Sequence, residues 1–327
     1  MEKAQRGNQR VLVVDSGDLF FKFSADSDGE KALKKASIIG RAYRMMGAAG
    51  VNVGCLDLLQ GVDFLRQESA QGLPILSANL LDPSTKSPLF QPYVIKEVGG
   101  VRIAFFGLLP PESGPEISRA IRAANEGKIL IGDPVEKARE TVQRLQGKAE
   151  LIVLLSDLGL PKDQMLAKAV PGIHFILGGH EGRYTRKGIQ AGMTHIFQSS
   201  HKGMYVGHLQ LVLEKPSKPF RDAGEVQHLQ ERIDGLDFQI RSLEASKKRQ
   251  TGKETVNFGR TIEEITRQRN ALLEELKRAK EEGVQGNRFL FQLDALEKLP
   301  TANEFETLLV ENEEIKRWIS SAGIEKD

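Results

Sequence analysis

The sequence predicts an α/β protein whose strands are covered by helices. The first observation is a repeated order of short apolar run, turn and amphipathic stretch over residues 10–213, which is typical of layered α/β structures. The second is that the apolar runs are nearly continuous, as expected of strands that are buried on both faces. These runs cover residues 11–14, 74–77, 101–107, 151–156 and 174–177.

Two amphipathic stretches are the clearest helices between these strands. They cover residues 30–50 and 134–148. The second has Asp133 in the N-cap position and Pro134 at the first helical position, where a missing backbone N–H is tolerated.

Residues 221–283 predict a helical hairpin. Apolar residues recur in steps of three and four at 229, 233, 236, 240 and 243, and again at 262, 265, 272, 276 and 279 with Arg269 at the seam position between 265 and 272, which is the spacing of a heptad seam. The connecting segment contains Gly252, which suits a chain reversal. We expect an antiparallel coiled coil about 35 Å long. It is either a self-contained structural arm or an arm that binds a protein partner.

Alternating runs flank this hairpin and divide the chain. Residues 206–213 and 288–295 alternate apolar and polar positions, so we expect them to pair as strands with the coiled coil inserted between them. This predicts a core at 1–215, the hairpin at 221–283, and a returning strand with a C-terminal helix at 287–327.

Composition excludes several classes of protein. Lys and Arg total 46 against 44 Asp and Glu, and the charges are interspersed, so no nucleic-acid partner is expected. The single cysteine, Cys55, excludes an intrachain disulfide framework and a multi-cysteine metal site. No apolar run approaches the roughly 20 residues of a membrane-spanning helix, and the polar opening residues predict no signal peptide.

Three turns with acidic or histidine side chains follow predicted strands, where open α/β sheets collect their ligands. Asp18 follows the first strand through Gly17, Asp157 follows residues 151–156, and His180 lies in Gly-Gly-His-Glu-Gly at residues 178–182. Each turn alone is common in structural caps. Their order and spacing along the chain, taken together, indicate a functional site.

These turns, with residues 50–57, 76–80 and 93–101, resemble the UshA-like bacterial 5'-nucleotidase family over residues 10–213. The resemblance implies the N-terminal calcineurin-type metallophosphoesterase domain, a layered β-sandwich flanked by helices. It also implies a nucleotide or other phosphate-ester ligand, a site with two divalent metals, and a periplasmic or extracellular location.

The family's metal motifs are altered in this chain. Residues 54–57 read Gly-Cys-Leu-Asp where the family reads Gly-Asn-His-Glu, so Cys55 replaces a metal-binding asparagine and Leu56 replaces the catalytic histidine. Asp157 stands where the family has a histidine, and Gly182 stands at the second histidine of Gly-Gly-His-Thr-His. The family's Asp-x-His motif has no counterpart in the sequence.

Asp18 and His180 therefore match family ligands. Together with Asp157, and with Cys55 as a ligand for a softer ion, they predict a rebuilt site for one divalent ion, Zn, Mn or Fe, with a site that holds no metal as the alternative. Asp57 and His201 are further predicted to bind the ligand. A thiol role is predicted for Cys55, because a histidine can lower the pKa of a neighbouring thiol.

Three functions remain open from the sequence. The first is a binding or scaffold protein without the normal dinuclear phosphohydrolase activity. The second is a thiol or redox protein centred on Cys55. The third is a metallohydrolase whose rebuilt metal site acts on nucleotides or other phosphate esters.

Overall fold

A computed structural model describes residues 11–23, 29–185, 187–199, 204–215, 218–247, 253–282 and 286–295 of the 327-residue chain. The chain divides into two compact units, one made of Met1–Gly207 with Leu293–Asp327 and the other of His208–Gln292. The predicted C-terminal helix and the predicted ligand residue His201 lie outside the described residues.

A three-stranded parallel sheet begins the first unit. Its strands are β1 (Val14–Asp15), β2 (Gly50–Asn52) and β3 (Ile75–Leu76), in that order. Helices α1 (Gly29–Met45) and α2 (Val62–Ala70) flank these strands in the chain. The opening strand is shorter than the apolar run 11–14 predicts and is only half-buried. A cluster that includes Phe20, Phe64 and Leu58 forms the core on this side.

A six-stranded mixed sheet forms the other layer. Its order is β10-β11-β9-β8-β6-β5, from Ile189–Ala191, Thr194–Gln198, Phe175–Gly178, Leu151–Ser156, Val101–Leu108 and Tyr93–Val98. The four inner strands are parallel and the two edge strands pair antiparallel. All six residues of β8 are buried, as its continuous apolar run predicts. Two short strands, β4 (Leu80–Leu81) and β7 (Leu130–Ile131), pair separately.

Three helices accompany this sheet: α3 (Pro115–Asn125), α4 (Pro134–Leu145) and α5 (Leu160–Ala169). The predicted cap of α4 is confirmed, because the Asp133 side chain accepts a hydrogen bond from the Glu136 amide. Apolar side chains from α4 and α5, such as Val142 and Leu166, pack with Phe106 and Leu154 of the sheet. Sheets layered with helices confirm the predicted α/β class.

Two long helices and a small sheet account for most of the second unit. Strands β12 (Tyr205–Val212), β14 (Arg288–Ala295) and β13 (Arg221–Asp222) are neighbours in that order. Helices α6 (Glu225–Lys247) and α7 (Lys253–Glu282) share an apolar cluster of Leu229, Ile233, Leu272 and Leu276. The supercoil that the heptad spacing predicts, and any partner bound through it, remain predictions. In the described part of the chain, no helix has both the length and the apolar composition to cross a bilayer.

Candidate metal-binding site

Side-chain hydrogen bonds join the strand ends at which the candidate residues lie. Ser16, directly after β1, donates through Oγ to the Leu177 carbonyl of β9 at 2.9 Å. Asn52, the last residue of β2, donates through Nδ2 to the carbonyls of Ser16 and Leu108, at 2.8 and 2.9 Å. The carboxyl ends of β1, β2, β6 and β9 are therefore held together in one place.

The turn that carries Asp18 requires glycines. Gly17 has φ 107°, a left-handed conformation that a side chain would strain, and a Cβ at this position would lie 2.7 Å from the Gly54 nitrogen. The two turns therefore pack backbone against backbone. Asp18 itself has φ 58°, which is uncommon for a residue other than glycine. Its Oδ1 accepts a hydrogen bond from the Leu56 amide at 2.7 Å.

Asp57 holds these two turns in place and is not itself open to a ligand. Its carboxylate accepts backbone N–H groups from Asp18, Gly54 and Phe20, each at 2.9 Å, and the residue is 0% exposed. Burial raises the pKa of Asp57 to about 7, while the amides of Phe20 and Gly54 act in the opposite direction. The prediction that Asp57 binds a ligand is therefore replaced by a structural role.

Asp157 connects three parts of the site. Its backbone N–H donates to the Leu108 carbonyl at 3.0 Å, which continues the ladder between β8 and β6. Its Oδ2 accepts the Cys55 amide at 2.7 Å, and its Oδ1 lies 2.9 Å from Nδ1 of His180. Asp157 is 2% exposed, so a buried carboxylate orients the imidazole.

Asp18, Asp157 and His180 form a possible metal-binding group. One ligand atom from each can be chosen so that all three lie within 4.8 Å of one another. Two carboxylates and one imidazole are ligands that Zn²⁺, Mn²⁺ and Fe²⁺ accept. The structure therefore brings together Asp18, Asp157 and His180 of the predicted metal ligands, and Cys55 is not part of this group.

The electrostatics of this group favour a cation. Burial, followed by the charges of Asp157 and Asp57, raises the pKa of Asp18 to about 9. The hydrogen bond with Asp157 raises the pKa of His180 above its usual value. A divalent ion would offset the repulsion between the carboxylates.

The metal-free protein is expected to lose thermal stability as the pH rises from about 5 to about 8.5. A carboxyl whose pKa is raised by folding contributes stability below its unfolded pKa, and this contribution is lost as the pH rises through the folded pKa. Asp18 and Asp57 both behave this way, because their pKa values rise from 3.8 to about 9 and about 7. The exposed Glu150, whose pKa falls to about 2, acts only at lower pH.

Calorimetry of chelator-treated protein across this pH range measures the effect. Saturating Mn²⁺ should restore more stability at the alkaline end than at the acid end, since fewer protons compete with the ion for the carboxylates there. A melting temperature that stays level or rises from the acid to the alkaline end would contradict the assignment.

The surroundings of Cys55 do not suit the thiol role predicted for it. The residue is 1% exposed, and its Sγ lies 3.6 Å from the Pro110 carbonyl. Burial and the charge of Asp157 raise the pKa of the thiol, the opposite of what a reactive thiolate needs. Its contribution to the site is the backbone amide bound to Asp157, so the structure gives no support to a redox role.

Sequence reasoning missed Asp15 as a supporting residue. Its Oδ1 accepts the Gly17 amide at 2.9 Å and its Oδ2 accepts the Tyr43 hydroxyl at 2.7 Å, so it braces the Asp18 turn against α1. The signal was weak because an acidic residue beside glycine is common in turns. Only the hydrogen bond from Tyr43 of α1 distinguishes Asp15 from such a turn residue.

Comparison with curated proteins gives related enzymes. The chain is 29% identical over 192 residues to a 2',3'-cyclic-nucleotide 2'-phosphodiesterase/3'-nucleotidase of Salmonella typhimurium, a match that covers 52% of this chain and 29% of that protein. It is 27% identical to a 5'-nucleotidase of Vibrio cholerae, over 63% of this chain and 41% of that protein. Its homologues include members of the 5'-nucleotidase family of metallophosphoesterases. No protein-family model matches it.

A third relative and a solved structure agree with this homology. The uncharacterized metallophosphoesterase YunD of Bacillus subtilis is 26% identical, over 64% of this chain and 44% of YunD. The crystal structure of the calcineurin-like phosphoesterase YfkN from the same species superposes with a TM-score of 0.54 at 23% identity, over 65% of this chain and 75% of that one. This likeness confirms the calcineurin-like fold. The chain spans less than half the length of each of the three relatives.

Proposed function

We propose that this protein is a metal-dependent phosphoesterase that holds one divalent cation between Asp18, Asp157 and His180. The observation that carries the proposal is the meeting of these three side chains within 4.8 Å, at the strand ends where the fold binds ligands. Homology to nucleotidases and cyclic-nucleotide phosphodiesterases supports a phosphate ester as the substrate.

The donor set fits one ion better than two. A dinuclear centre needs ligands on both sides of a bridging carboxylate. In this chain Leu56 and Gly182 stand at two of the family's site positions and offer no donor side chain. Asp57 accepts three backbone amides, and the thiol of Cys55 faces the Pro110 carbonyl. Among the described residues, the Asp18 group is the one acid and histidine cluster of this kind.

The protein's own groups define the expected chemistry. A divalent cation in this site supplies positive charge that polarises a phosphate ester and stabilises charge developing on it. Asp157 orients the imidazole of His180 through Nδ1, and the amides of Leu56 and Cys55 fix the two carboxylates. Leu56 cannot donate a proton to a leaving group. We therefore propose a preference for esters with good leaving groups.

The substrate class is proposed from the relatives. The Salmonella and Vibrio proteins are nucleotidases by name, so nucleoside monophosphates and cyclic nucleotides are the first compounds to test. Phosphate release with and without Mn²⁺ or Zn²⁺, from a nucleotide and from 4-nitrophenyl phosphate, tests the proposal. Metal-dependent turnover of the aryl ester supports it. If neither the nucleotide nor 4-nitrophenyl phosphate is hydrolysed in a metal-dependent way, the proposal is contradicted.

A second candidate is a protein that binds phosphate esters without turning them over. Leu56 favours it, since an apolar side chain replaces the family's catalytic histidine and the hydrogen bond of Leu56 to Asp18 comes from its backbone amide. Metal-dependent nucleotide binding by calorimetry, together with no phosphate release from either ester, would select this candidate.

A further inference from the structure

A buried polar cluster adjoins the turns that carry Asp157 and His180. Ser156 and Gln198 are the last residues of β8 and β11, and Asp163 lies in the first turn of α5. Ser156 and Asp163 are 0% exposed and Gln198 is 1% exposed. Complete burial of a carboxylate costs free energy, so this placement of Asp163 calls for a structural reason.

Ser156 links Asp163 to the backbone around Asp157. Its hydroxyl donates to Oδ1 of Asp163 and accepts the Leu158 amide at 3.1 Å. Because Asp157 lies between Ser156 and Leu158, this hydroxyl fixes the chain on both sides of the metal-binding carboxylate. Asp163 is the acceptor that sets the direction of the Ser156 hydroxyl.

Asp163 also packs against the strand that leads to His180. A Cβ atom built on Gly178, the last residue of β9, would lie 3.1 Å from Oδ2 of Asp163 and 3.7 Å from Nε2 of Gln198. Gly178 precedes His180 by two residues. Oδ2 of Asp163 and both polar side-chain atoms of Gln198 are buried without a hydrogen-bond partner among the described residues. Such atoms reduce stability, so the placement of these two side chains is not explained by a gain in stability.

We propose that Asp163 is a positioning residue for the metal-binding group. Through Ser156 it holds the turn of Asp157, and through Gly178 it supports the start of the His180 loop. The two side chains then meet at 2.9 Å. The inference deepens the proposed function, on which its consequence for cation binding rests, but its geometric content applies to the protein without any ion.

Amide hydrogen exchange of the full metal-free chain, resolved by residue with NMR, tests this role. The Cys55 amide reports on Asp157 from 102 residues away, because it donates to Oδ2 of that residue at 2.7 Å. Asp163→Ala is expected to accelerate exchange at Cys55 and Leu158 by about tenfold, the effect of losing one buried hydrogen bond. Val170, whose amide bonds to Leu166 at the end of the same helix, should keep its wild-type protection.

Two further variants separate positioning from loss of fold. Asp163→Asn keeps an oxygen that can accept the Ser156 hydroxyl, so it should return Cys55 exchange close to the wild-type rate. Asp133→Ala removes an acidic N-terminal residue from α4 and should leave Cys55 unchanged. In a parallel Mn²⁺ titration, Asp163→Ala is expected to weaken binding about 10–100-fold, as changes around metal ligands do.

Unchanged exchange at Cys55 in Asp163→Ala would overturn the inference. Equal acceleration at Cys55 and Val170 would also overturn it, since that pattern reports general unfolding of α5. Failure of the wild-type chain to bind a cation would contradict the proposed function alone, because the exchange result is read without metal.

Discussion

Asp157→Asn is expected to remove divalent cation binding. Asparagine has nearly the same shape and can still accept the Cys55 amide through its side-chain oxygen. It cannot offer a second anionic oxygen to an ion or to His180. Since changes around metal ligands already cost about 10–100-fold in affinity, loss of a ligand carboxylate should cost at least about 100-fold. Calorimetric titration with Mn²⁺ and Zn²⁺ measures the change.

A matched control separates this effect from a general loss of charge. Asp133→Asn makes the same chemical change in an N-cap, where asparagine is as effective as aspartate. This variant should bind the ion with wild-type affinity. If Asp157→Asn also binds it with wild-type affinity, the assignment of Asp157 as a ligand is wrong.

Leu56→His is expected to raise phosphate release from a nucleotide more than from 4-nitrophenyl phosphate. General acid catalysis typically contributes about 10²–10⁴-fold, and an alkoxide leaving group needs the proton much more than a nitrophenolate does. The Leu56 backbone amide bonds to Asp18 whatever the side chain is, so the substitution leaves that contact in place. An increase of about tenfold for the nucleotide would show that the imidazole has restored part of this help.

Leu56→Gln provides the comparison for polarity without proton transfer. It should leave the ratio of nucleotide to aryl-ester turnover near that of the wild type. Steady-state kinetics with both substrates and all three proteins give the result. If Leu56→His and Leu56→Gln change the ratio equally, Leu56 does not stand in the place of a general acid.

The candidate metal ligands are recognisable in the sequence because their signals are local. Asp18, Asp157 and His180 each follow an apolar run, and the carboxyl ends of such strands meet in one place. The continuous apolar runs likewise predicted three of the four inner strands of the larger sheet, β6, β8 and β9, but not β11. The first strand was overestimated, because residues 11–14 are apolar but only Val14 enters the ladder with Gly50.

The roles of the supporting residues could not be predicted because they depend on contacts between distant segments. The motif predicted that Asp57 binds a ligand. In the structure its carboxylate instead accepts hydrogen bonds from backbone amides 37 and 39 residues away. Asp163 looked like an ordinary acidic residue at the start of a helix, and its burial depends on β8, β9 and β11. Cys55 matched a family site position, whereas the fold turns its thiol toward Pro110.

The amount of metal bound per chain tests the central claim most directly. Equilibrium dialysis of the full chain against Mn²⁺ or Zn²⁺, followed by elemental analysis, gives this stoichiometry. A site built from Asp18, Asp157 and His180 predicts one ion per chain in the wild type and loss of that ion in Asp157→Asn. Two ions per chain, or none, would contradict the single-metal account.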